Sequence, residues 1–200
     1  MSEAGELVYD LSLAALTGWA LNWLIVERPR RRDQHVMYEA LGPRVQGLGG
    51  VGRAIASGLA GAIGFSISKP DVGPTSEEWQ RICAELSFDT PLLGFVVPAQ
   101  GEELRLGTVG QFVLAELDRA ERLGSLIQQS APYFHADLLA LIHREQISPL
   151  RRMARFGNAR ARPLKDMAST FVDYDERGRA ISTYYEKHIQ PYTSNRLPDD

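Results

Sequence analysis

The chain has 200 residues, 44% of them hydrophobic, enough to close one core and leave room for an appendage. Lys and Arg number 22 against 25 Asp and Glu, a formal net charge of −3, so the chain as a whole attracts neither nucleic acid nor an anionic membrane, and any basic site must be local. The single cysteine, Cys83, excludes an internal disulfide and suits a reducing, intracellular setting.

Glu3, Glu6 and Asp10 precede the first apolar run where a secretory signal would carry basic residues, so no signal peptide is expected and a cytoplasmic or otherwise intracellular location is. The run LSLAALTGWALNWLIV, residues 11–26, is apolar nearly all round a helix, but its sixteen residues fall short of the ~20 that span a bilayer. It reads as a central, buried helix, in which Trp23→Ala would cost about 3 to 5 kcal/mol. Membrane insertion is the alternative that this reading sets aside. The proline and the basic flank of ERPRRR, residues 27–32, would suit a membrane edge.

Next, QHVMYEAL, residues 34–41, predicts a short helix ended by Gly42 and Pro43. In the stretch QGLGGVGRAIASGLAG, residues 46–61, Gly47, Gly49 and Gly52 fit G-x-G-x-x-G. Over about 25 residues this region resembles the dinucleotide fingerprint of Rossmann proteins. That resemblance implies NAD or another nucleotide on Gly47, Gly49 and Gly52, with FSIS (65–68) as the following strand and Asp71 on the ribose. Upstream the pattern departs from the fingerprint, because LGPRVQ puts a proline and an arginine where the first strand should run. The same letters also build a packing helix: Gly50, Ala54, Gly58 and Ala62 form a small-residue stripe beside Val51, Ile55, Leu59 and Ile63. Helix packing is the preferred reading.

Thr75 or Ser76 caps a helix whose face is Trp79, Ile82, Cys83 and Leu86. PLLGFVVPAQG, residues 91–101, is the best strand candidate. A longer helix runs from Thr108 to about Gln129, with Val109, Phe112, Val113, Leu117 and Leu123 inward. Another opens at Ser130 and carries Phe134, Leu138, Leu139 and Ile142. DYDERG, residues 173–178, begins like a calcium loop but lacks the later ligands, and reads as a turn. Ile181, Tyr184, Tyr185 and His188 then sit at helical spacing.

The segment SPLRRMARFGNARARPLK, residues 148–165, holds Arg151, Arg152, Arg155, Arg160, Arg162 and Lys165 and no acid. With Ser148 as cap and Pro149 as first residue, a helix here would bury Leu150 and Met153 and project Arg151, Arg152 and Arg155 from one side. The planar arginine fork suits carboxylates and phosphates, and exchanging these three for Glu is expected to leave folding intact while weakening a partner.

His135 and His143 lie about 12 Å apart if helical, too far for one metal ion, so no metal site is expected. In RRRDQH, residues 30–35, Arg30 precedes His35 by five residues, a spacing seen in some helical ribonucleases, though Arg31 stands where a polar partner would follow. The chain carries no G-x-S-x-G and no P-loop, so no enzymatic motif is legible.

The expectation is a mainly α protein: a single helical domain over 1–146, at most a small β element near 91–98, and an extended Arg- and Tyr-rich arm over 147–200. Its expected role is non-enzymatic interaction or assembly. Arg151, Arg152, Arg155, Arg160, Arg162, Lys165, Tyr184 and Tyr185 would engage an acidic protein surface or another copy of the chain. The alternatives are a nucleotide-dependent enzyme at Gly47–Gly52, or nucleic-acid binding through the arginine segment; membrane association is not favoured.

Overall fold

A computed structural model describes residues 3–98, 104–155 and 163–194. The fold is mainly α with one small antiparallel β pair, as the sequence predicts. One helical path runs from Glu3 to Gly49: α1 (Glu3–Asn22), a π-turn at Trp23–Glu27, and α2 (Arg28–Gly49), with Asn22, Glu27 and Arg28 all in right-handed helical conformation. At 1.5 Å per residue this path is roughly 70 Å long. In the π-turn the Arg28 N–H donates to the Trp23 carbonyl, one residue further back than in an α-helix.

The helix expected to stop at Gly42 and Pro43 continues through both. A proline inside a helix costs about 3 kcal/mol. Here burial of Tyr38, Leu41, Val45 and Leu48 on one face offsets that loss. Gly42 is a contact point rather than a stop, since a Cβ on it would lie 3.2 Å from Ile189 and Thr193.

Helix α3 (Val51–Ala62) buries Val51, Ile55 and Leu59, and α4 (Ser76–Glu85) buries Trp79, Ile82 and Cys83. Both are the faces expected from the apolar spacing. Thr75 caps α4 in a reciprocal box with Glu78, whose carboxylate also accepts from the Ser68 N–H and Oγ. Hydrogen bonds from Ser68 and then Thr75 hold the Glu78 carboxyl down to about 2. FSIS is therefore not a strand but part of a coil tied to the start of α4.

Strand β1 (Pro91–Pro98) occupies the expected stretch and pairs antiparallel with β2 (Leu104–Thr108), with a register shift between Pro91 and Val96 where Gly94 adopts φ +84°. Thr108 then caps α5 (Val109–Gln129) in a second reciprocal box with Gln111. Ser130 opens only a 3-10 turn, Ala131–Tyr133, and α6 (Ala136–Gln146) begins after His135.

The C-terminal part departs most from expectation. After α7 (Pro149–Arg155), helix α8 (Ala168–His188) packs against α2, α3, α4, α6 and α7, and α9 (Gln190–Ser194) folds back on α2. Phe171, Tyr174, Ile181, Tyr184 and Tyr185 of α8 are buried. The residues expected as an extended arm thus supply the helix at the centre of the core. DYDERG is a continuous part of α8 rather than a turn. Asp175 is buried there beside Arg179, 3.0 Å away, and Gly178 meets Gly49, whose carbonyl would lie 2.8 Å from a Cβ at 178.

Candidate functional site

The run 11–26 is not buried. Leu11 is 64% exposed, Leu16 65%, Trp19 68% and Ile25 68%, so the apolar residues face outward around the whole circumference. A helix with apolar residues on every side is ordinarily covered by a core or by lipid, yet this one is open along its length. At its base stand Trp23, the π-turn, and Arg28, Arg30, Arg31 and Arg32. Among the described residues no helix is long and apolar enough to cross a membrane.

A cleft of about 460 Å³ opens immediately below this base. From α2 it takes Arg31, Gln34, His35 and Tyr38, which share one helix face. His135, at the start of α6, enters from the side. Lys187 and His188 come from the last turn of α8, and Tyr192 from α9. A smaller cavity of about 210 Å³ shares Arg31, Gln34 and His135 and adds Arg30 and Glu27.

Aromatic packing fixes the floor of the cleft. Tyr38 is buried, stacks on Phe134 at 5.6 Å and meets Tyr192 edge-on at 5.7 Å. Its hydroxyl accepts from Gln34 Nε2 at 2.8 Å, and burial raises its pKa. Tyr184 backs His188, ring to ring at 4.6 Å, and burial pushes its phenol up to about 12. Of this lining, sequence spacing puts Arg31, Gln34, His35 and Tyr38 on one helix and His188 on another, and carries no sign that the two meet. The remainder arrives from residues more than ninety positions along the chain.

The arginine segment divides differently from its expected single face. Arg151 is 3% exposed and points inward: its Nε donates to Glu145 Oε1 at 2.9 Å, and its Nη1 lies 3.7 Å from Glu121. Tyr174 donates to the same Glu145 oxygen at 2.6 Å, and burial raises its pKa strongly. Arg152 and Lys165 are exposed, Arg155 closes α7, and Arg160 and Arg162 lie outside the described residues. Tyr184 and Tyr185, expected at a partner surface, are in the core.

The glycine run builds a helix crossing. Residues 41–46 lie inside α2, not in a strand, and Gly47 and Gly49 are helical. A Cβ on Gly49 would fall 2.8 Å from the Ser182 N, and one on Gly52 2.8 Å from the Asp175 Cα. The strand and tight turn that a dinucleotide loop requires are not formed. Asp71 accepts a hydrogen bond at its carbonyl from Arg53 Nη1, on the exposed surface.

Burial pushes the Cys83 thiol up to about 12, which makes it a poor nucleophile. Among the described residues no group of His, Cys, Asp and Glu is placed to hold a metal ion. No known family model, curated protein or solved structure matches the chain.

Proposed function

We propose that this protein works at a membrane surface, holding its helical domain there through the apolar stretch of α1. The observation that carries this reading is the exposure of residues 11–26 on every side. A second copy would cover only a narrow stripe of such a helix, whereas a lipid surface takes up a wider arc of it. The stretch is about 24 Å long against a hydrocarbon core of about 30 Å, so the helix lies along the membrane with both charged ends at headgroup level. Arg28, Arg30 and Arg32 at its base each add about 1 kcal/mol near an anionic surface, and Trp19 and Trp23 suit the same depth. An acidic protein partner at the arginine segment has less support, because Arg151 is committed to Glu145.

Flotation with vesicles tests the proposal. The full chain is expected to float with vesicles containing anionic lipid, less so in high salt, with a blue shift of Trp19 and Trp23 over the constant emission of buried Trp79. Leu16→Glu with Ile25→Glu should abolish flotation and leave circular dichroism unchanged. A chain that stays in the aqueous fraction as a discrete oligomer would overturn the lipid reading and make α1 a seam between copies.

A further inference from the structure

We propose that the cleft below α1 binds a phosphate-bearing anion. Its charge is the first argument. Among the described residues Arg31 and Lys187 have no ion-pair partner and no carboxylate lines the larger cavity. In a chain with more acids than bases, Arg31 and Lys187 make a local positive field in this space, and three of the four histidines line it with ring N–H donors. Lys187 and His188 also complement the carbonyl end of α8, but that leaves Arg31, His35 and His135 unexplained, since they reach the same space from other elements.

Size and walls narrow the ligand. The histidines do not converge closely enough to hold a metal ion, and about 460 Å³ is room for a small organic anion. Arginine, lysine and imidazole N–H groups donate and do not compete with phosphate oxygens, while the rings of Tyr38 and Tyr192 offer flat apolar surface to whatever carries the phosphate. The smaller cavity adds Arg30 beside Arg31 but also Glu27, whose carboxylate would repel a second phosphate, so the larger cavity is the anion site. The ligand class is therefore a phosphate ester, either a soluble metabolite or a lipid headgroup. Binding in the cleft does not require α1 to be in lipid.

The test uses the full chain in mild nonionic detergent, titrated with pyrophosphate, glycerol phosphate or short-chain phosphatidic acid at constant ionic strength, and read by NMR of the histidine rings. His143 is outside the cleft and serves as the internal reference. The resonances of His35, His135 and His188 are expected to move saturably while His143 stays. Arg31→Gln with Lys187→Gln, both exposed in the fold, should weaken binding roughly tenfold or more. Arg152→Gln with Lys165→Gln, away from the cleft, should not. Equal response to glycerol phosphate and phosphatidic acid assigns the free phosphate as sufficient, and a preference for the lipid assigns the headgroup. Silent cleft histidines up to millimolar ligand, shifts shared by His143, or undiminished binding by the Arg31 and Lys187 double variant would overturn the proposal. Because flotation depends on Leu16 and Ile25 and this titration does not, the two readings fail separately.

Discussion

At the scale of single residues, neighbours in sequence have opposite fates. Arg151 and Arg152 are chemically identical and adjacent, yet one closes a buried ion pair and hydrogen-bond group with Glu145 and Tyr174 while the other faces water. Nothing in a run of arginines without acids marks which one turns inward, because the partners lie six and twenty-three residues away in the chain. What the sequence does contain is Glu145, an acid on the inner face of α6 between Leu138, Ile142 and the helix end, and a buried acid requires a partner. Arg151→Glu is expected to cost about 3 to 5 kcal/mol, since it sets a second carboxylate against a desolvated one. Arg152→Glu should change stability by no more than about 0.5 kcal/mol. Chemical denaturation of the two variants in parallel checks the contrast, and equal midpoints would remove Arg151 from the core.

At the scale of elements, local chemistry was readable and its assembly was not. The caps Thr75 and Ser148 and the apolar faces of α3, α4 and α5 follow from residue type and spacing, because they are decided within a few residues, whereas Thr108, read as the first helical residue, is the cap of α5. The glycines were readable as small-residue packing, but not which of them meet another backbone. The close contacts belong to Gly49 and Gly52 against α8, and Gly58 faces only the rim of the Phe112 ring, 2.5 Å from a built Cβ. Helix α3 offers a test in which one substitution has opposite signs at two positions. Gly52→Ala would press a methyl group onto the Asp175 backbone and should cost about 1 to 3 kcal/mol. Gly61→Ala, with nothing within 4 Å of the added carbon, should gain about 0.5 to 1 kcal/mol from the better helix former. Melting temperatures of the pair that move in the same direction would refute the crossing.

At the scale of the molecule, hydrophobicity alone misled. Residues 11–26 are expected inside because they are apolar, and they stand outside, since apolarity alone does not say whether a core or something beyond the domain covers a helix. Trp23→Ala, expected from burial to be severe, should therefore shift the unfolding free energy by no more than about 0.5 kcal/mol; a larger loss would return α1 to the core. The cleft escaped sequence reading because its lining is assembled by the docking of α8 and α9 on α2, which no local pattern shows. The unbroken helical path from Glu3 to Gly49 also has a mechanical result. Arg31 follows Val26 by five residues, so the cleft stands about 7.5 Å along the axis from the last apolar residue, across the end of the π-turn. The path works as a ruler and a compass at once: each residue added to or removed from this short interval would move the cleft by about 1.5 Å along the axis and swing its mouth by about 100° around it.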